Sequence, residues 1–198
     1  MAYESFTLPQ VEAKFELSIA QTRDAYAQIS PIAPSEWLQT TLRIQSPLVV
    51  GRTSEKGRSE FMVAPVLVEV REIKDESIGL FSGVKFDVDK AAGLHGYCDF
   101  ILSRDALLDV IRAPILFVTE AKKEDLNAGI AQCIAEMVAA ERFNAAENKP
   151  IETIYGAVTD GNRWRFLSLK QKTVTIDLRE WGIAELPHIL GILVFMVS

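Results

Sequence analysis

A chain of 198 residues, 48% of them hydrophobic and 24% charged, has room for one domain with a full core and little for a second. Its net charge of −6 and pI near 5.1 exclude a global positive field, so binding a polyanion would need a local basic patch or a metal. The opening Met-Ala-Tyr-Glu-Ser lacks basic and apolar signal regions, and the apolar tail from Ile189 to Val197 is too short to span a bilayer. The expectation is a cytoplasmic protein with no membrane partner. Cys98 and Cys133 fall in a strand-like and a helix-like segment without metal-ligand spacing and read as buried reduced thiols.

In chain order, residues 1 to 47 mix short amphipathic pieces with breakers at Pro9, Pro31, Pro34 and Pro47, and Ser35 reads as the N-cap of a helix beginning Glu36-Trp37-Leu38. The polar, basic stretch from Gly51 to Phe61 is a loop leading into a helix from Ser59 to Ile73. Phe61, Val66, Val70 and Ile73 recur there at helical spacing, and Pro65 predicts a kink or a break. Residues 79 to 89 alternate Val84, Phe86 and Val88 against Lys85, Asp87 and Asp89, a half-exposed strand whose partner is Gly93 to Ser103. Ile115 to Val118 is a continuous apolar run, the mark of a strand buried on both faces. A helix from Glu124 to about Ala146 follows, with Leu126, Ile130, Ile134, Met137 and Val138 as its core stripe. Ile151 to Val158 and Trp164 to Leu169 read as strands joined at Asp160-Gly161, a hairpin signal. Val174 to Leu178 adds a short strand, and Glu180 to Val197 a closing helix interrupted at Pro187. The order of elements predicts an α/β domain with a mixed sheet and helices packed on it.

Chemistry concentrates at the end of the buried run. Side chains alternate faces along a strand, so Glu120 and Lys122 point one way and Ala121 the other. Asp99 sits among Cys98, Phe100, Ile101 and Leu102 in the preceding strand, where a lone carboxylate is costly unless a partner or a cation compensates it. Two carboxylates near one ammonium suit Mg²⁺ or Mn²⁺, hard ions that prefer oxygen ligands. Such an ion polarises a phosphoryl oxygen and acidifies water, with Lys122 neutralising charge at phosphorus. Spacing alone leaves a second reading open, in which Glu120 and Lys122 form a strand-end salt bridge and Asp99 accepts backbone N–H groups.

The segments "GYCDFIL", "ILFVTEAKK", "AGIAQCIAEM" and "IYGAVTDGNRWRFLSL" together resemble the PD-(D/E)xK, or restriction-endonuclease-like, nuclease superfamily. Within it they look like the N-terminal nuclease domain of type I restriction-enzyme motor subunits and its stand-alone relatives. The resemblance covers roughly Ser59 to Leu169 and keeps the family's order of acidic helix, Asp strand, Glu-x-Lys strand, Gln helix and hairpin. It implies Asp99 and Glu120 as metal ligands, Lys122 as the catalytic lysine, Gln132 beside the site, and Glu60 as the acidic residue of the first core helix. A proline in that helix fits Pro65, whereas Cys98 stands where the named motif has Pro. The organisation implied is a single domain over 1–198, with an N-terminal extension at 1–50, a nuclease-like core at 59–169, and a C-terminal strand and helix at 170–198.

The function implied is a Mg²⁺- or Mn²⁺-dependent nuclease hydrolysing phosphodiester bonds. Its partners would be a nucleic acid, DNA first, and a second copy of the chain or a partner protein that delivers substrate. Two alternatives stand beside it: an inactive nuclease-fold module used for binding or assembly, and an enzyme of small phosphorylated molecules. Arg52, Lys56 and Arg58 could hold phosphates or form a solvated loop. Trp164, between Arg163 and Arg165, reads as core rather than a base-stacking platform. Lys123 should face away from Lys122, and His95 reads as a satisfied strand-end histidine. Glu136 shares a helix face with Gln132 and could approach the site, though pairing with a surface cation is its simpler account.

Overall fold

The computed structural model of the chain describes residues 2–49, 54–107, 109–122 and 125–198. Among these, eight strands form one mixed sheet: β1 (Ser18–Thr22), β2 (Gly79–Lys85), β3 (Tyr97–Ser103), β4 (Ile115–Ala121), β5 (Ile154–Thr159), β6 (Arg163–Lys170), β7 (Thr173–Asp177) and the short β8 (Trp181–Gly182). The spatial order is β1-β7-β6-β5-β4-β3-β2, with β8 beside β6. β2, β3 and β4 are successive antiparallel neighbours, β4 and β5 are parallel, and β5, β6 and β7 are antiparallel again. A parallel pair needs a crossover, and α5 (Leu126–Ala146) supplies it between β4 and β5.

Helices cover both faces. Val11 and Phe15 of α1 (Leu8–Phe15) join the α5 stripe in one core with Ile101, Val118 and Val158. The second core gathers α2 (Glu36–Val49), α4 (Ala64–Ile73) and α6 (Leu186–Met196) over Phe100, Leu102, Phe117 and Phe166. Alternate residues of β3 and β4 thus feed opposite cores, and all seven residues of β4 are buried. That is why its sequence is continuously apolar rather than alternating.

Local signals set the helix boundaries. The Ser35 hydroxyl accepts from Leu38 N at 3.1 Å, the N-cap read from the sequence. Asp125 caps α5 by accepting from Asn127 N at 2.9 Å; the predicted start at Glu124 lies outside the described residues. Pro65 has no N–H for the carbonyl of Phe61, and the chain answers with a π-helical stretch, Ser59–Val63, that follows the short α3 (Glu55–Arg58) and precedes α4. The expected interruption at Pro187 is corrected: the proline stands in the first turn of α6, where its missing N–H costs nothing, and β8 and a 3₁₀ turn (Ile183–Glu185) precede it. Residues 18–22, not read as a strand, form β1 and extend the sheet by pairing parallel with β7. Trp164 is fully buried, as expected of a core residue. No helix of the described residues is long and apolar enough to cross a membrane.

A buried side chain fixes α5 against β4. Asn144 Oδ1 accepts from Ile115 N at 2.7 Å and its Nδ2 donates to Ile115 O at 2.8 Å, so the side chain replaces a neighbouring strand at the first residue of β4. Asn144→Leu leaves both backbone groups unpaired in the interior, at about 1–3 kcal/mol each. Urea melts are expected to show stability lowered by about 2–4 kcal/mol; an unchanged midpoint would contradict this role.

Candidate active site

β4 ends in a carboxylate and then an ammonium, and both meet α5. Glu120 is only 2% exposed, and its Oε1 lies 2.6 Å from Lys122 Nζ. Its Oε2 accepts from Gln132 Nε2 at 2.7 Å, while Lys122 Nζ donates to Gln132 Oε1 at 3.3 Å. The three side chains therefore close a ring of hydrogen bonds. Lys122 is anchored at its base by its own N–H, which donates to Thr159 O at 2.7 Å and carries the β4–β5 pairing one residue further.

Gln132 Nε2 also donates to Glu136 Oε1 at 3.1 Å. Glu136 is fully buried, and its carboxyl also hydrogen-bonds that of Glu120. The expected pairing with a surface cation is thus corrected: four residues along α5 from Gln132, the carboxylate turns inward to the site. Its neighbours Ile134, Ala135, Met137 and Val138 are all buried, which is why helical spacing alone did not reveal a polar role.

Asp99 enters from β3. The β3–β4 register ends at Phe100–Thr119, and the Asp99 side chain takes the next amide, with Oδ2 accepting from Ala121 N at 2.8 Å. Asp99 also lines a cleft of about 450 Å³ with Glu55, Lys56, Ser59, Glu60, Ser82 and Gly83. Glu60 therefore shares a cleft with Asp99, but its side chain is half exposed and pairs loosely with Lys56 at 3.7 Å. Glu55, one turn earlier, was not singled out by the sequence reading. Its charge bears on both Asp99 and Lys122, and only the docking of α3 beside β4 brings it there.

The basic residues are less available than the sequence suggested. Arg58 donates to Asp160 O at 3.1 Å and ties α3 to the β5–β6 turn. Arg163 pairs with Asp160 and Glu180, and the buried Arg165 donates to Asp177 O and Asn127 Oδ1. Arg52 and Lys123 lie outside the described residues.

Charge at the site is out of balance. Burial first, then the Asp99 charge, raise the Glu120 carboxyl; Lys122 opposes them without prevailing, and the group is pushed up to about 8. Burial and then Glu120 hold Glu136 well above the usual carboxylate range. Asp99 is raised by burial, with Glu55 adding and the Ala121 amide opposing. Burial alone would lower Lys122, but the Glu120 contact and the surrounding carboxylates raise it. Among the described residues, three buried or half-buried carboxyls, Asp99, Glu120 and Glu136, gather around the Lys122 ammonium.

A divalent ion can be tested against this donor set. Every donor is oxygen, the type that Mg²⁺ and Mn²⁺ select. Among the described residues, no three His, Cys, Asp or Glu side chains form a ready-made metal cage. Mg²⁺ does not need one, since it keeps several waters and uses one or two carboxylates. Asp99 and Glu120 fit that pattern, with the Lys122 ammonium holding the Glu120 carboxylate as a cation would.

Gly129, on α5, is a further residue the sequence reading passed over. A Cβ built there would lie 2.6 Å from Val158 Cγ1 and 3.0 Å from Lys122 Cγ, so the bare helix surface makes room for the lysine stem. Alanine favours a helix interior over glycine by about 1 kcal/mol, yet here it would push Lys122 from Gln132. Gly129→Ala is expected to leave the protein no more stable, by thermal melt, despite that gain in propensity. A gain of the full increment would show that the stem moves freely.

The raised carboxyls also set a pH dependence. Folded Glu120 keeps its proton to about pH 8, whereas unfolded it releases it near 4.5. Its stabilisation is complete below the unfolded value and is lost as pH rises through 8. Asp99 and Glu136 act in the same direction. The melting temperature without added metal is expected to fall from about pH 5 to 8, and Glu120→Gln to make that fall shallower; equal slopes in the two proteins would count against it.

The chain matches no protein-family model, no curated protein and no solved structure.

Proposed function

We propose that the chain is a divalent-metal-dependent nuclease of the PD-(D/E)xK superfamily. The observation that carries this reading is the convergence of Asp99, Glu120, Lys122 and Gln132 from β3, β4 and α5 onto one sheet end, beside a cleft lined by Asp99 and Glu60. The order of elements supports it too: a helix with Glu60, the Asp strand, the Glu-x-Lys strand, the Gln helix and a hairpin all belong to one sheet and its covering helices.

In this reading Asp99 and Glu120 would hold Mg²⁺ or Mn²⁺. When bound, the ion supplies Lewis-acid polarisation of a phosphoryl oxygen and lowers the pKa of water. The residues of the chain do the rest. Gln132 keeps the Glu120 carboxylate facing Lys122, and the Ala121 amide keeps Asp99 aimed along the edge of the sheet. Lys122, fixed at its backbone and guided past Gly129, places its ammonium where negative charge grows on the phosphoryl oxygens. Water oxygen bonds to phosphorus, the ester P–O bond breaks, and the departing oxygen takes up a proton. Glu60 and Lys56 border the cleft through which a phosphate would approach.

The competing reading is an inactive nuclease-fold module used for binding or assembly. It draws on the net charge of −6 and on Glu120, both of whose oxygens are satisfied within the protein. Cleavage separates the two. Labelled linear, circular and branched DNA incubated with the protein and Mg²⁺ or Mn²⁺ is expected to be cut, and chelation to stop it. Asp99→Ala and Lys122→Ala are each expected to lower the rate by about 100-fold or more. Absence of cleavage together with absence of Mn²⁺ binding would favour the inactive module, and cleavage that survives Lys122→Ala would come from another source.

A further inference from the structure

Resting on that reading, we infer that Glu136 is a positioning residue: from inside the core it holds the Gln132 amide in the one orientation that serves both Glu120 and Lys122.

A side-chain amide has two N–H donors on nitrogen and an acceptor on oxygen, and a half-turn exchanges them. At Gln132 every partner specifies the same choice. The nitrogen faces two carboxylate oxygens, Glu120 Oε2 at 2.7 Å and Glu136 Oε1 at 3.1 Å, and the oxygen faces Lys122 Nζ at 3.3 Å. Turned over, the amide would lose both N–H bonds to the carboxyls and set its N–H groups against the Lys122 ammonium, which has no acceptor to offer. Glu120 and Lys122 are bonded to each other and lie at the cleft-side end of β4, where substrate and ion would disturb them. Glu136 stands behind Gln132 on the same helix, fully buried, so it is the partner that remains in place while the other two rearrange.

The cost of Glu136 argues in the same direction. Its position in α5 is flanked by Ala135 and Met137, both without exposure, and its polar partners there are Gln132 and Glu120. An apolar side chain of similar length would serve the fold better, because a buried carboxyl beside a second one is costly. A residue kept only for packing should not be a glutamate. Orienting Gln132 gives it a use, and the use is a site property rather than a folding one.

Three proteins test this: wild type, Glu136→Leu, and Glu136→Gln, which keeps an acceptor at the same reach. Glu136→Met stands in if the leucine variant fails to fold. In the metal-free protein, the two Gln132 side-chain N–H resonances are expected to be separately shifted and slowly exchanging in wild type and in the glutamine variant. In the apolar variant one should return toward the position of a free amide. Mn²⁺ titration is expected to weaken about 10- to 100-fold in the apolar variant and to stay within about 3-fold in the glutamine variant. The melting temperature of the apolar variant should be unchanged or higher, which a packing role would not give. Unchanged Gln132 resonances in the apolar variant would overturn the inference. So would a glutamine variant that loses Mn²⁺ as fully as the apolar one. Should wild type bind no Mn²⁺, the metal-dependent reading fails by itself, and the metal-free resonances still decide whether Glu136 orients Gln132.

Discussion

A carboxylate at the dry end of β4 organises this molecule. Glu120 is almost without solvent, so its oxygens must be answered by groups the fold brings to it: Lys122, two residues on, and Gln132 of α5. Gln132 reaches it only because α5 lies unusually close to the sheet. Cβ atoms added at Gly129 and Gly156 would come within 2.6 Å of Val158 Cγ1 and 2.7 Å of Met137 Sδ respectively, so two glycines at the α5–β5 contact set the spacing. Asn144 sets it again at the other end of the helix, by bonding to the first residue of β4. Helix, strand and site are therefore one mechanical unit, with the polar ring at one end and the Asn144 clasp at the other.

Much of this was legible in the sequence where side-chain period and burial agree. The continuous apolar run of β4, the five-residue stripe of α5, the Asp160-Gly161 turn and the Ser35 cap each rest on a local rule that tertiary contacts did not override. Asp99, Glu120 and Lys122 drew notice because a charge beside apolar neighbours needs a reason, and Gln132 was named only through the family resemblance. What stayed hidden depends on approach between distant segments. Glu136 has ordinary helical spacing, and only the inward rotation of α5 distinguishes it from a surface glutamate. Gly129 looks like a flaw in a helix until the lysine stem crossing it is in view. β1 is short and half polar, and finds its place only as an edge strand on β7, far along the chain. Pro187 carries opposite meanings at a helix interior and a helix start, and sequence spacing did not choose between them.

The electrostatics of the site follow from the same geometry. Lys122 answers Glu120 directly and a hydrogen bond with Glu136 helps it, yet burial and the Asp99 charge raise the proton affinity of Glu120. Exposed carboxylates would shed this tension into water, but here burial prevents it. The arrangement is stable with a proton on the carboxyls and is altered when a stronger cation displaces that proton. If the proposed ion binds, it meets a ring of hydrogen bonds that is already closed.

The proposed action of an acidic protein on a polyanion raises a second difficulty, and the two would share a solution. At −6 the chain repels a phosphate backbone at long range, and the basic side chains nearest the cleft are few. Among the described residues, Arg58 is committed to the β5–β6 turn and Lys122 to Glu120, and Lys56 is loosely paired with Glu60. In the proposed nuclease a divalent ion at Asp99 and Glu120 would therefore do more than polarise phosphorus. By taking over the Glu120 carboxylate from Lys122 it would also release the ammonium toward the incoming phosphate, so that one binding event would supply two cations beside the cleft. The closed ring would then keep the lysine in reserve, and the helix behind it, through Glu136 and Gln132, would keep the carboxylate in register while the lysine leaves.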